Sequence, residues 1–306
     1  MIIPENQKEF ERMFSDDQKC FDYLFTMKYP DKFICEKCNG NEYWLIGKHI
    51  RCKNCKAEIS ITSGTIFHSS NLNLTDLFRI IWWIVLQKNG ISAKSLERIL
   101  GISYKTIWFW LHKIRRIMIL AGREKLSGKV EVDEIFIGGK SKGKRGRGAD
   151  GKKLVVVAVE VRGKGTGRTR LAIIPDASRK SLNSFIKQNI EQDSIIITDA
   201  WKGYVDVTKM KYEHIIENQT KITDDDSTLP HVHRIASLLK RWLLGTHQSY
   251  VNKGHLEYYL DEFVFRYNRR KSSSRGKLFY TLIYQAIKHE PIGFKKISKS
   301  KKKITS

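Results

Sequence analysis

The chain has 306 residues and a mass of 35.7 kDa, about twice the size of an ordinary domain, so two or three compact units are expected. Hydrophobic residues make up 41% of it, enough to form a core, which excludes wholesale disorder. Lysine and arginine number 56 against 32 acidic residues, giving a formal charge of +24. This excess goes far beyond what solubility requires and favours a polyanionic partner, nucleic acid before an acidic membrane surface.

The sequence offers no pattern typical of secretion or membrane insertion. Its first residues carry charge where a signal peptide needs an apolar run, and the longest apolar stretch, residues 77–86, is interrupted by Arg79 and is too short to span a bilayer. Four of the five cysteines form two close pairs, which fits metal ligation in a reducing compartment better than a disulfide framework. We therefore expect a cytoplasmic protein with no membrane partner.

The N-terminal part of the chain is predicted to be mainly helical. Apolar residues recur at roughly helical spacing over residues 1–30, which indicates a pair of small helices. Residues 33–65 contain short β-prone pieces around the cysteines, and residues 74–87 form a strongly apolar helix. Two further helices are predicted over residues 93–100 and 104–120.

A sheet domain is predicted to begin near residue 128. The strand-like runs are residues 130–137, 154–161, 170–175 and 194–198. The first two are joined by a basic, glycine-rich loop that we expect to be unordered until it binds its partner. The GKGTG segment at residues 163–167 is not followed by a helix, so it predicts a hairpin turn and not a nucleotide-binding loop. The lysine-rich residues 295–303 are interpreted as a solvated tail that contacts phosphate.

Two Cys-x-x-Cys pairs, Cys35 with Cys38 and Cys52 with Cys55, are separated by thirteen residues. This separation is enough for a β-hairpin that folds one pair onto the other and brings four thiolates together. Closed four-thiolate coordination is typical of structural Zn²⁺ in segments too small for a core of their own. We therefore predict one structural Zn²⁺; unligated thiols and an iron–sulfur site are the less favoured alternatives. Cys20 lies outside the pattern and is interpreted as a buried small hydrophobic residue.

Residues 91–108 carry apolar residues at helical spacing on both sides of a turn at Gly101, with Ser103 placed to cap the second helix. The pattern is typical of a helix-turn-helix; the alternative is an ordinary helical hairpin. In a helix-turn-helix the second helix enters the major groove of DNA at its N-terminal end. The predicted DNA-reading residues are Tyr104, Lys105, Thr106 and Phe109, and the predicted phosphate contacts are Lys113, Arg115 and Arg116.

Two acidic residues occupy positions where strands can bring them together. Residues 130–137 alternate with a period of two, which puts Asp133 on the opposite face from Val132 and Glu134. Asp199 directly follows an apolar run, as expected when a buried central strand delivers a carboxylate to the edge of a sheet. Two adjacent carboxylates repel unless they share divalent cations, and hard oxygen ligands suit Mg²⁺ or Mn²⁺. Taken singly, each acid also fits a strand-end or surface role.

A third group lies on a helix predicted to begin at Leu229 and Pro230, because proline is well tolerated in a first helical turn. His233 and Lys240 are seven residues apart, so two helical turns put both on one face. A metal-facing His233 would then have Lys240 beside it to bind phosphate. The alternative is that His233 is an ordinary buried or surface histidine.

Taken together, these features resemble the transposases of the IS1595 insertion-sequence family, whose catalytic part is the ISXO2-like transposase domain. The resemblance covers most of the chain. It is carried by the cysteine module at 35–55, SGTIF at 63–67, GISYKT at 101–106, VDEIFIGG at 132–139, TDAWKGY at 198–204, LLKR at 238–241, GTH at 245–247 and YLDEFVFRYNRR at 259–270.

The resemblance implies an RNase H-like catalytic domain with a DDE-type triad, in which Asp133 is the first acid, Asp199 is the second and His233 takes the third position. Many relatives carry glutamate at the third position, followed seven residues later by the lysine that matches Lys240. Because a neutral imidazole brings no negative charge, we expect weaker Mg²⁺ binding or relatively better use of Mn²⁺. The candidates to replace His233 as third ligand are Asp224, Asp225, Asp226 and Glu262.

The implied enzyme is a two-metal DNA transposase, in which one ion activates water or a 3′-hydroxyl and the other stabilises the leaving 3′ oxygen. Asp133 would bridge the ions, and Lys240 would hold a phosphate near the scissile bond. Hydrolysis at an element end would be followed by attack of the freed 3′-hydroxyl on target DNA. The implied partners are double-stranded DNA, both terminal inverted repeats and target, and at least one further copy of the chain to hold two ends together. The implied location is the bacterial or archaeal cytoplasm, at the nucleoid.

The predicted fold is multidomain α+β. Helices and a zinc ribbon occupy residues 1–70, the helix-turn-helix 71–122, the RNase H-like domain with its mixed sheet 128–285, and a basic tail 286–306. Further DNA contacts are predicted at Lys144, Arg145, Arg147, Lys240 and Arg241. The main alternative function is a catalytically inert, domesticated or decayed transposase that acts as a sequence-specific DNA-binding protein. A structure-specific nuclease of RNase H-like fold ranks last.

Overall fold

The structure is a computed structural model of the whole chain, and it describes residues 2–47, 49–119, 122–138, 152–217, 228–248, 254–294 and 297. The chain divides into two compact units, residues 1–120 with 272–306, and residues 121–271. Within the described ranges, no helix is both long and apolar enough to cross a membrane.

The helices are α1 (Gln7–Met13), α2 (Asp17–Lys28), α3 (Leu74–Leu86), α4 (Ala93–Leu100), α5 (Tyr104–Ile117), α6 (Arg179–Asn189), α7 (Pro230–His247), α8 (Leu256–Asn268) and α9 (Arg275–Lys288). The strands are β1 (Tyr43–Ile46), β2 (His49–Cys52), β3 (Glu58–Ser60), β4 (Lys129–Ile137), β5 (Lys153–Arg162), β6 (Gly165–Ile174), β7 (Ile195–Thr198) and β8 (Glu213–Ile216). The predicted helices and strands are therefore confirmed, with shifts of a few residues at their ends.

The first unit has an aromatic core to which the C-terminal helix contributes. The rings of Phe10 and Trp82 stack with centroids 4.8 Å apart, and Phe279 of α9 meets both edge-on, at 5.5 and 5.9 Å. Such pairs add to the stability that burial alone provides. Helix α9 therefore packs with the N-terminal unit, although the predicted catalytic domain extends to residue 285. The partners of Phe279 lie far away in sequence, so local pattern could not reveal them.

Two predicted motifs of the first unit have the expected backbone. Strands β1, β2 and β3 form an antiparallel sheet, with the β1–β2 hairpin between the two cysteine pairs. Helices α4 and α5 are separated by a short turn, where Gly101 adopts a left-handed conformation at φ 68°. The side chain of Ser103 caps α5 by accepting the backbone N–H of Thr106.

The second unit is built on a five-stranded mixed sheet with strand order β6-β5-β4-β7-β8. Strands β4, β5 and β6 are antiparallel neighbours, whereas β7 runs parallel to both β4 and β8. The β5–β6 connection is the predicted hairpin turn, with Gly163 at φ 57°. Helix α6 covers one face of the sheet through Leu182, Phe185 and Ile186. Helix α7 packs on β4 and β5, and α8 lies along the edge strand β6.

Some predicted features lie outside the described residues. Residues 139–151 hold Lys144, Arg145 and Arg147, and residues 218–227 hold Asp224, Asp225 and Asp226. Of the predicted phosphate-contacting tail, residues 295–303, only Ile297 is described.

Candidate functional site

The four paired cysteines converge in the first unit. The Sγ atoms of Cys35 and Cys55 are 3.6 Å apart, as are those of Cys38 and Cys52, and all four lie within 4.8 Å of one another. A tetrahedron with Zn–S bonds of about 2.3 Å has edges of about 3.8 Å, so the four thiols fit a structural Zn²⁺. The predicted pairing of the two motifs is confirmed.

Two equivalent turns hold the thiols. The carbonyl of Cys35 accepts the N–H of Asn39 at 2.9 Å, and the carbonyl of Cys52 accepts the N–H of Lys56 at 3.1 Å. Asn39 and Lys56 both adopt left-handed backbone, at φ 57° and 58°. The N–H of Cys55 is the main cause that lowers the pKa of Cys52 to about 7.

Cys20 takes no part in this site. It is fully buried, and its thiol lies at 4.0 Å from the hydroxyl of Thr75. Burial raises its pKa to about 12, so the thiol stays protonated and unreactive. The interpretation of Cys20 as a buried hydrophobic residue is confirmed.

In the second unit, Asp133 lies on β4, and Asp199 follows the end of its parallel neighbour β7. β4 pairs Glu131 with Ile197 of β7. Asp199 follows the last residue of β7, where its Oδ1 accepts the backbone N–H of Trp201 at 3.1 Å. The two predicted acids thus lie on β4 and directly after β7, its parallel neighbour in the sheet.

Helix α7 brings a histidine to the first of these acids. His233 Nε2 lies 3.7 Å from Asp133 Oδ2, and the His233 side chain is 49% exposed. Lys240 and Arg241 are exposed further along α7, and Lys240 follows His233 by two helical turns. The helix begins at Pro230, as predicted.

A buried glutamate that the sequence analysis missed fixes the start of α7. Glu131 Oε2 accepts the backbone N–H groups of His231 and Val232, both at 2.9 Å, and Glu131 Oε1 lies 2.5 Å from His231 Nδ1. Leu229, the N-cap residue, offers no capping side chain, so Glu131 satisfies these helix N–H groups from the sheet. The available sequence signal was an acid in an apolar strand, on the same face as Asp133.

A second missed contact lies on the opposite face of β4. The hydroxyl of Tyr204 donates to Glu134 Oε1 at 2.8 Å. Burial raises the pKa of Tyr204 well above its usual value, and the charges of Glu134, Asp133 and Asp199 act in the same direction. Tyr204 therefore stays a neutral hydrogen-bond donor close to both aspartates. The predicted separation of Asp133 from Glu134 on opposite faces is confirmed.

The residues predicted to read DNA lie at the start of α5. Tyr104 and Lys105 are exposed there. Thr106 is half-buried with its hydroxyl 2.9 Å from that of Ser103, and the Phe109 ring packs 5.3 Å from the ring of Phe294. Only the first turn of α5 thus offers the predicted surface, together with exposed Arg116 further along.

Two of the predicted phosphate contacts are buried instead of exposed. Lys113 and Arg115 retain only 4% and 2% exposure. Lys113 Nζ donates to the carbonyl of Ile66 at 2.7 Å and lies 4.2 Å from the centre of the Trp110 ring. Burial lowers the pKa of Lys113 to about 8. No local pattern indicates that the basic end of α5 turns into the core, and neither side chain can reach DNA phosphate from this position.

The described residues contain one closed cluster of candidate metal ligands, the four cysteines. The ligand atoms of Asp133, Asp199 and His233 do not form a second cluster of this kind. Their donor set, two carboxylates and one imidazole, has the chemistry that binds Mg²⁺ or Mn²⁺.

Two family models match the chain. The ISXO2-like transposase domain matches residues 125–268, which include Asp133, Asp199 and His233. The transposase zinc-ribbon domain matches residues 15–58, which include all four paired cysteines. A search of curated proteins found no match. Both models describe IS1595 transposases; the first covers nearly all of the second unit, and the second covers the cysteine-containing part of the first unit. The chain belongs to the IS1595 family of transposases.

Proposed function

We propose that this chain is a DNA transposase that binds the terminal inverted repeats of its own insertion sequence and catalyses metal-dependent strand cleavage and strand transfer. One observation carries the proposal: Asp133 lies on β4, Asp199 directly follows its parallel neighbour β7, and His233 Nε2 lies 3.7 Å from Asp133 Oδ2. These are the positions that the family resemblance assigns to a DDE-type triad. The mixed five-stranded sheet agrees with an RNase H-like domain.

The donor set suits a catalytic divalent ion. Asp133 and Asp199 provide hard carboxylate oxygens, and His233 provides a neutral nitrogen. Divalent ions bound there would activate the attacking hydroxyl and stabilise the leaving 3′ oxygen. His233 is half-exposed and Asp133 is 19% exposed, so a DNA strand can reach both side chains from solvent.

The chain's own residues would orient this site. Glu131 accepts hydrogen bonds from the first turn of α7 and would thereby hold His233 in position next to β4. The N–H of Trp201 holds one oxygen of Asp199, which leaves the other for a ligand. Lys240 is exposed two turns beyond His233, where its charge would hold a phosphate next to the scissile bond.

DNA recognition would use the first unit. Tyr104 and Lys105 are exposed at the first turn of α5, the end that enters the major groove in helix-turn-helix proteins. On the zinc ribbon, Trp44 is 43% exposed with Lys53 and Lys56 at 5.9 and 4.5 Å from its ring. The net charge of +24 supplies sequence-independent attraction to phosphate. Joining two element ends would require at least a dimer.

The test is incubation of the purified protein with DNA that carries the flanks of its own gene, in Mg²⁺ or Mn²⁺. We expect nicks with 3′-hydroxyl ends at the inverted-repeat boundary, lost in Asp199→Ala and kept in Glu213→Ala, which removes an exposed acid from β8. Repeat-specific binding without nicks in either metal would contradict the proposal and indicate an inert DNA-binding protein. Cleavage at branched DNA away from the repeats would contradict it in favour of a nuclease.

A further inference from the structure

A group of arginines lies where the chain enters and leaves the second unit. We call it the arginine cluster and define it as Arg123, Arg168, Arg170, Arg269 and Arg270. Two hydrogen bonds join residues 124–125, where the chain enters the unit, to β6. Arg170 donates to the carbonyl of Glu124 at 2.6 Å, and Arg168 donates to the carbonyl of Lys125 at 2.9 Å.

The end of α8 meets the same strand. Asn268 accepts the backbone N–H of Thr169 at 2.8 Å and donates to its carbonyl at 3.2 Å. Arg270 donates to the carbonyl of Gly167 at 3.3 Å. These contacts bring Arg269 and Arg270 to β6, beside Arg168 and Arg170.

One arginine of the cluster is neutralised within the fold. Arg168 donates from Nε and Nη2 to Glu160 Oε1, at 2.9 and 2.7 Å, and Glu160 is 2% exposed. Burial opposes ionisation of Glu160, but the hydrogen bonds from Arg168 outweigh it and lower the pKa of Glu160. Exposed Glu124 adds a further ion pair to Arg168 at 2.9 Å.

The other members are not balanced in this way. Arg170 is 4% exposed, and its hydrogen bonds within the described residues go to the carbonyls of Thr169 and Glu124, not to a carboxylate. In the same part of the chain, no hydrogen bond is found from the guanidinium groups of Arg123 or Arg269. Asp261 partly offsets the charge of Arg123, and Arg269 lies 4.2 Å over the ring of Phe265.

Electrostatics agree with this imbalance. Burial, followed by the charges of Arg123 and Arg168, lowers the pKa of Arg170 to about 10. Burial and then Arg123 also lower the pKa of Arg269. Like charges gathered in a partly buried place are unfavourable unless an anion joins them, and the planar guanidinium fork matches a phosphate group.

Arg170 lies on the face of the sheet opposite to the carboxylate site. Arg170 pairs with Ala158, which pairs with Val132, so these side chains share the face covered by α6. Asp133 lies on the opposite face, towards α7. Arg270 and Lys271 are exposed beside the buried Arg170, so the positive charge extends from the interior of the unit to its surface.

We propose that the arginine cluster is a second DNA site, which binds backbone phosphates at the edge strand β6. The proposal rests on the proposed function only in that DNA is the ligand. Arg123 and Arg269 make the contact, because both are partly exposed and neither guanidinium group donates a hydrogen bond within the described residues. Arg170 sets the positive potential behind them.

The test is the salt dependence of binding between the full-length, zinc-loaded protein and a short DNA duplex, followed by fluorescence anisotropy without added Mg²⁺ or Mn²⁺. We expect Arg123→Gln and Arg269→Gln each to weaken binding about tenfold and to lower the slope of log K against log salt by about 0.9. Lys180→Gln, which removes an exposed charge from α6, leaves the slope unchanged. Arg123→Lys and Arg269→Lys recover the slope but only part of the affinity.

Thermal melting of the same variants separates binding from folding. If Arg123→Gln and Arg269→Gln melt earlier but bind DNA with wild-type affinity and slope, the cluster is structural and the proposal is overturned. The outcome is independent of cleavage. If DNA affinity depends on these arginines but the protein never nicks DNA, only the transposase activity is refuted. If the protein nicks DNA but the arginine variants bind DNA like wild type, only the phosphate site is refuted.

Discussion

Glu131 on the central strand β4 holds His231 at the start of α7, through the His231 backbone N–H at 2.9 Å and Nδ1 at 2.5 Å. Two residues further along each element, Asp133 and His233 face each other at 3.7 Å. One buried carboxylate therefore holds the start of the helix that carries His233, the residue we propose as the third triad group. In the proposed site, Glu131 acts as a positioning residue and not as a ligand.

Removing this carboxylate should cost stability as well as activity. We expect Glu131→Ala to lower the free energy of unfolding by about 1–3 kcal/mol, because two N–H groups at the buried start of α7 lose their acceptor. Glu131→Gln keeps one acceptor oxygen and should lose less. Urea unfolding measures both, with Glu213→Ala on exposed β8 as the control. Equal stability of Glu131→Ala and Glu213→Ala would show that the cap contributes nothing.

The zinc ribbon should depend on Cys52 and not on Cys20. Replacing Cys52 by serine removes one of four thiolates, so we expect the zinc content to fall from about one ion per chain to near zero. Cys20→Ala should keep its zinc, since Cys20 is buried away from the cluster. Metal analysis of the purified proteins measures both. A fully loaded Cys52→Ser protein would refute the four-thiolate site.

Two glycines should respond to alanine in opposite directions. A Cβ at Gly203 would lie 2.6 Å from Trp201 Nε1 and 2.7 Å from the carbonyl of Ala177, so Gly203→Ala should destabilise the fold by about 1–3 kcal/mol. A Cβ at Gly245, inside α7, would meet no described atom within 4 Å. Gly245→Ala should therefore add about 0.5–1 kcal/mol through helix propensity. Chemical denaturation measures the free energy of unfolding of both variants. If Gly203→Ala is as stable as wild type, the predicted close contacts at Gly203 are wrong.

Lys113 should make stability depend on pH. Burial lowers its pKa from 10.5 to about 8, so between these values the unfolded chain binds a proton that the folded chain does not. Stability must then rise with pH over this window, and the cost of burying the charge is fully present below pH 8. Relative to Lys113→Met, we expect wild type to gain stability from pH 8 to pH 10 in denaturant titrations. A stability difference between wild type and Lys113→Met that does not change with pH would mean that the pKa of Lys113 is unshifted.

Local patterns predicted much of this architecture. The cysteine spacing identified the ribbon, the period of two in β4 separated Asp133 from Glu134, and Ser103 marked the start of α5. These features depend on neighbouring residues, so propensity and spacing suffice to find them.

The contacts that the sequence analysis missed are long-range. Glu131 and His231 are a hundred residues apart, and Phe279 reaches the N-terminal core from the other end of the chain. Lys113 resembles a surface lysine in sequence, but tertiary packing on Ile66 buries it. In each case, packing between distant segments outweighs the local preference, and a single sequence carries no record of that pairing.

The central claim is that Asp133, Asp199 and His233 form one divalent-ion site. It is tested most directly by titrating Mn²⁺ into the zinc-loaded, full-length protein and following free Mn²⁺ by electron paramagnetic resonance. Glu213→Gln is the control. The account predicts that wild type and Glu213→Gln bind Mn²⁺ alike, whereas Asp133→Asn, Asp199→Asn and His233→Ala each bind at least about tenfold more weakly. Undiminished Mn²⁺ binding by all three variants would contradict it.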